Sequence, residues 1–147
     1  MQNLIDAVHT ANQNNNELAA LFIALNIPDI CAAMEYPGMK VRSRYIKWLE
    51  NFCQDKGSFE QLEDIYKLRS KLMRQGISKQ DSQSMNRYSL HAGITSQIQK
   101  ASYISDAQGQ QLIKLYVPEV TKTILVAYEK YAQSTQTKLD NTIEIQQ

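Results

Sequence analysis

The residue that most asks for chemistry is Arg69. On a helical wheel at about 100° per residue, Leu62, Ile65, Tyr66, Leu72 and Met73 all fall within about 60° of it, so a permanent positive charge sits in the middle of an apolar stripe. A guanidinium buried there without an anion is prohibitively costly. It requires a carboxylate, with Asp29 and Glu35 the candidates for a structural ion pair, or an anionic ligand in a cleft or at a subunit seam. On the same stretch Glu60, Glu63 and Asp64 come first and Lys67, Lys71 and Arg74 last. That order complements a helix dipole, and the three basic residues share the face opposite Arg69. They read either as a solvated face or as a phosphate-binding row. Lys40, Arg42, Arg44 and Lys47 make a second basic run, with Tyr45 and Trp48 interleaved. If the two helices pack side by side, the runs could form one electropositive surface.

Other chemistries have little to work with. The chain carries no Gly-rich phosphate loop, no His-Glu-x-x-His, no Gly-x-Ser-x-Gly and no paired cysteine motif. His9 and His91 are the only histidines, so any imidazole acid or base is one of these two. Cys31 and Cys53 stand alone in apolar segments, without a neighbour at metal-ligand spacing, and read as reduced packing thiols. No metal and no cofactor is expected.

The elements that must hold Arg69 follow from local signals. A short N-terminal helix ends at the Asn12–Asn16 run, a linker, and a second begins near Glu17 with a stripe of Leu18, Leu21, Phe22 and Leu25. Asn26-Ile27-Pro28-Asp29 starts a third, with Pro in the first turn, running to about Met34. Tyr36-Pro37-Gly38 turns the chain, and Val41, Tyr45, Trp48, Leu49 and Phe52 mark the core face of a fourth helix. Ser58 and Gln61 match a capping box and Gly76 a left-handed stop, which bound the Arg69 helix at Phe59 to Gln75. Ile77 to Asn86 has no period and reads as a surface loop. Leu112 to Val117 alternates, predicting a short strand paired with Arg87 to His91. A last helix starts at Pro118, since Pro in its interior would cost about 3 kcal/mol, and ends near Gln133.

The chain has 147 residues, 43% hydrophobic and 21% charged, with a net charge of +1. One domain over residues 1–135 and a frayed tail over 136–147 are expected. With almost no net charge, attraction to nucleic acid must come from a local patch. The start of the chain lacks a basic, apolar leader, and its apolar runs are read as too short to cross a membrane, so a cytoplasmic protein is expected.

Three strings carry a family likeness: Leu25-Asn26-Ile27-Pro28-Asp29-Ile30-Cys31-Ala32-Ala33-Met34-Glu35, Arg44-Tyr45-Ile46-Lys47-Trp48-Leu49, and Tyr66-Lys67-Leu68-Arg69-Ser70-Lys71-Leu72-Met73-Arg74-Gln75-Gly76. The chain resembles an uncharacterised bacterial, partly plasmid-borne branch of the HEPN superfamily over roughly residues 18–132. The resemblance implies a mainly α helical bundle that dimerises, here allowing a short β-hairpin before the last helix. Many HEPN proteins are metal-independent ribonucleases of bacterial defence systems. Their motif is an Arg followed after four to six residues by a His, the Arg stabilising phosphate charge and the His assisting attack by the ribose 2′-hydroxyl. Arg69 matches the motif Arg and Ser70 its polar neighbour, but Arg74 stands where the His belongs. A guanidinium stays protonated near neutral pH and cannot accept that proton.

The resemblance therefore implies an RNA- or nucleotide-binding homodimer of a defence or mobile-element system with cleavage weak or lost. Arg69 would be its catalytic remnant, and Ser70, Arg74, Lys67 and Lys71 its substrate-binding residues. Two alternatives stand beside it: a non-catalytic protein–protein interaction module whose Arg69 only pairs with Asp29 or Glu35, and an active ribonuclease using a substitute base such as His91.

Overall fold

The computed structural model describes residues 1–57, 59, 61–75, 88–91, 102–105 and 111–146; for 75, 88–91, 102–105, 111–115 and 137–146 the description is of the backbone. In chain order the elements are α1 (Gln2–Gln13), α2 (Glu17–Ala24), α3 (Ile27–Glu35), α4 (Val41–Phe52), α5 (Leu62–Gln75), β1 (Tyr88–His91), β2 (Ser102–Ser105), β3 (Gln111–Tyr116) and α6 (Val117–Gln146). The described residues are mainly helical, as a bundle requires.

Local chemistry explains the first helices. Asn16 Oδ1 accepts from the Ala19 amide at 3.2 Å, filling one of the donors that the start of α2 leaves open. At its other end Asn26 Nδ2 donates to the Phe22 carbonyl at 2.8 Å. There α2 stops, and α3 restarts at once with Pro28 in its first turn, where a missing amide costs nothing. Gly38, at φ 87°, takes the left-handed position in the turn before α4.

These helices pack pairwise, α1 on α2, α3 on α4, and α6 across α2, α3 and α4. Leu21, Leu25, Ile27, Tyr45, Trp48, Leu49, Ile65 and Ile124 are fully buried. Each such aliphatic side chain contributes about 1.5–3 kcal/mol by leaving water. Trp48 anchors an aromatic knot, its ring centroid 5.4 Å from that of Phe52 and 5.7 Å from that of Tyr131. This knot fixes α4 against α6.

Several expectations need correction. Asn12 and Gln13 belong to α1, so the linker is only Asn14–Asn16. Leu18, Phe22 and Val41 lie 40–45% exposed rather than in the core. The face of α2 that packs inward is Ala20, Leu21 and Ala24, where two alanines let the helices approach closely. Helix α5 begins at Leu62, not Phe59. Phe59 is a core plug, 4% exposed, with its amide bonded to the Lys56 carbonyl, which holds the chain in a turn at that point. Helix α6 runs on to Gln146, well past Gln133, through the span expected to be a frayed tail, because residues 134–146 contain no Pro or Gly to end it. One segment, Glu17–Glu35, reaches a mean hydropathy of 1.6, enough by length and composition to cross a membrane. It is nevertheless two helices broken at Leu25–Asn26, and 44% of it is buried inside the bundle.

Strand β3 lies between the other two, parallel to β1 with Ile113 opposite Tyr88, and antiparallel to β2 with Ile113 opposite Tyr103. The expected pairing with the 88–91 segment is present, and β2 is an additional strand that forms the hairpin. Ser58, Gly76, Arg87 and the Ile77–Asn86 loop fall outside the described residues.

Candidate functional site

Arg69 faces into the bundle from the middle of α5 and meets the first turn of α3. Its Nη2 donates to Asp29 Oδ2 at 2.8 Å. From α4, Arg44 Nη2 donates to the other oxygen, Asp29 Oδ1, at 3.2 Å. One carboxylate thus bridges two guanidiniums and ties three helices together. The side chains are 17%, 22% and 21% exposed for Arg69, Arg44 and Asp29. Asp29 sits where the amide dipoles of α3 already favour negative charge, so its position is electrostatically set before either arginine arrives.

The arginines remain incompletely partnered. The Nε of Arg44 and that of Arg69 are both buried with no acceptor among the described residues. Beneath them the Arg69 guanidinium lies 5.9 Å from the centroid of the Tyr45 ring, which packs edge-on to Tyr66 at 5.2 Å. The Tyr45 hydroxyl donates to the Leu25 carbonyl at 2.8 Å, and burial pushes its phenol far above the ordinary range, so it stays neutral.

Of the two candidate acids, Asp29 is the one that bonds Arg69. Glu35, six residues further along the same helix, lies about 120° around its axis from Asp29. The remaining candidates divide between faces. Arg74 and Lys67 are exposed, and Ser70 and Lys71 half-buried. On the wheel Lys67, Lys71 and Arg74 point away from the side that carries Arg69, so α5 does not gather Arg69 and Arg74 on one face. Lys67 also approaches Asp64 at 3.8 Å.

Part of the second basic run is engaged by acids rather than left free on the surface. Helices α4 and α5 do pack together, but Arg42 forms an ion pair with Glu63 across their seam and Arg44 turns inward to Asp29. Lys47 lies 4.7 Å from the centroid of the Tyr36 ring. His9 is exposed on α1, and the backbone of His91 occupies β1 opposite Tyr116. Cys31 and Cys53 are free and buried, and burial pushes their thiols up to about 12 and about 11. Among the described residues no three His, Cys, Asp or Glu side chains gather as a metal site would require.

Arg44 is the site residue that the sequence reading missed. The signal was the one that found Arg69: on the α4 wheel Arg44 lies within about 60° of Val41 and Trp48, a charge at the edge of an apolar stripe. Chemically, the Arg44–Asp29–Arg69 cluster supplies no proton acceptor besides a carboxylate already engaged by two cations. No family model, curated protein or solved structure matches the chain.

Proposed function

We propose that the chain is a HEPN-like helical domain that binds RNA or nucleotides, as a homodimer, without cleaving them. One observation carries the non-cleaving part of the reading: Arg69 is bound to an internal carboxylate, as the interaction module described below also expects, while the position of the motif His is an exposed arginine on a different face of α5. Arg69 thereby serves the fold, and Arg74, at the position of the motif His, cannot take up a proton as a general base. What α5 keeps is its outer basic face of Lys67, Lys71 and Arg74, suited to phosphate contacts whose strength falls with salt.

A second reading, a protein–protein interaction module, is favoured by the exposed pairs Leu18/Phe22 on α2 and Ile30/Met34 on α3. Each pair is spaced four residues apart on its helix surface, an arrangement that suits an apolar partner.

The test is incubation of purified protein with end-labelled RNA in EDTA. Wild type is expected to retain RNA without cutting it, and Arg74→Ala to lose retention. Cleavage by Arg74→His that disappears when Arg69→Ala is added would identify a degenerate nuclease. Cleavage by wild type overturns the non-cleaving reading, and absence of retention in every variant favours the interaction module. Sedimentation at micromolar concentration reads the dimer directly.

A further inference from the structure

We propose that the outer edge of α2 and α3 is the seam through which two copies of the chain meet. The proposal rests on the homodimer reading above and names its contact surface. Although the hydrogen-bond ladder breaks between the two helices, Leu25 and Asn26 both keep right-handed helical dihedrals. The Leu25 amide reaches the Leu21 carbonyl at 2.9 Å and the Ile30 amide the Asn26 carbonyl at 3.2 Å, so the winding carries through the junction. Leu18, Phe22, Asn26, Ile30 and Met34 consequently stand at every fourth residue of one ridge. Its four apolar members are between 38% and 61% exposed. Asn26 is turned back on the chain, its Nδ2 donating to the Phe22 carbonyl and lying 3.9 Å from Met73 Sδ.

Three observations favour a second copy as the occupant. The first is area: those exposed fractions amount to roughly 400 Å² of apolar surface, most of the roughly 500 Å² of apolar area that each side of a standard interface buries. The second is charge. Between Leu18 and Met34 the only charged residue is Asp29, which Arg44 and Arg69 bind inward, so two copies meet here without setting like charges against each other. A net charge of +1 adds little repulsion at long range. Residues 17–35 contain no Lys or Arg, which disfavours a lipid surface, since helices that lie on membranes carry basic residues beside their apolar face. The third is symmetry. Two apolar residues stand on either side of Asn26, so the ridge is self-complementary when the second copy runs antiparallel, with Phe22 packing against the partner's Ile30.

The test is sedimentation of the full chain across micromolar concentrations, with fluorescence of the buried Trp48 reporting that each variant is folded. Wild type is expected to dimerise. Phe22→Glu raises the dissociation constant by about a hundredfold, because each dimer then buries two unpaired charges, and Ile30→Lys weakens association likewise. Combining Phe22→Glu with Ile30→Lys restores it, since the antiparallel arrangement sets each new acid against the partner's new base. Val126→Glu, at a comparably exposed apolar position on α6, leaves the dimer unchanged. Should Phe22→Glu not fold, Met34→Lys, at the most exposed position of the ridge, takes its place. A wild-type dimer that the ridge variants leave intact, or that Val126→Glu weakens as much, overturns the seam while the homodimer reading stands. Association of the double variant no stronger than that of either single one overturns the antiparallel seam. A wild type that is monomeric at every concentration overturns the seam and the homodimer reading together, and flotation of that monomer with phosphatidylcholine vesicles would identify a bilayer as the occupant instead.

Discussion

Replacing Asp29 with Asn tests how the bundle is held together. The substitution preserves shape, opens no cavity, and removes one negative charge from between two guanidiniums that are 17% and 22% exposed. Removing one partner of a buried ion pair costs about 3–5 kcal/mol, because the survivor is left uncompensated. Here two survivors repel each other, but partial exposure lets water screen both, which places the loss near the lower bound, about 3 kcal/mol. For a chain of this size that corresponds to a fall in Tm of roughly 6–12 °C. Trp48, the only tryptophan and fully buried, reports unfolding by fluorescence during urea titration. Arg44→Met is the control: it breaks the longer contact, 3.2 Å, and leaves a one-to-one pair, so it costs about 1 kcal/mol. An Asp29→Asn loss below about 1 kcal/mol, or an Arg44→Met loss larger than that of Asp29→Asn, refutes the picture of one anion shared by two cations.

Two further outcomes follow from other parts of the fold. Gly57 has φ 58°, and a Cβ there would stand 2.9 Å from Thr123 Oγ1, so Gly57→Ala is expected to destabilise by about 1–2 kcal/mol; calorimetry should show the loss shrinking when Thr123→Ala is added, and an unchanged loss would contradict the clash. Cys31 and Cys53, with thiols pushed up to about 12 and about 11, stay protonated in the native state while unfolded thiols ionise from about 9 upward. Because the native state then holds the protons longer, stability falls as pH rises above about 9. Thiol labelling at pH 8 should be slow until denaturant is added, and fast labelling of both in the native protein would show that they are not sealed.

How far the sequence could be read depends on where each decision is made. The start of α3 was legible because its signals are local: Asn26 bonds back to the Phe22 carbonyl at the end of α2, and Pro28 fits a first turn. Arg69 stood out because a charge in an apolar stripe violates the pattern of a single helix. Arg44 hid because it lies at the edge of its stripe, in a run of basic residues that looked like a solvated face. Helix α2 misled for the opposite reason: Leu18, Leu21, Phe22 and Ile23 make it apolar nearly all round, so periodicity could not say that the alanine side would pack inward. Strand β3 announced itself by alternation, whereas Ser102–Ser105 is a strand by virtue of its pairing with β3, a tertiary fact. The end of α6 escaped because a helix stop is written by Pro or Gly, and residues 134–146 contain neither.

The junction of β3 and α6 makes the sheet a phase setter for the bundle. Tyr116 closes the strand and Val117 opens the helix, with no residue between them to absorb an error. If β3 slipped by one residue against Tyr88, α6 would have to gain or lose a residue at its first turn or else rotate by about 100°. Such a rotation would swing Val120, Ile124 and Ala127 out of the core and pull Tyr131 off Trp48. The hydrophobic demand of the last helix therefore proofreads strand register from a distance, and changes that loosen the Trp48 knot should surface as heterogeneity in the sheet.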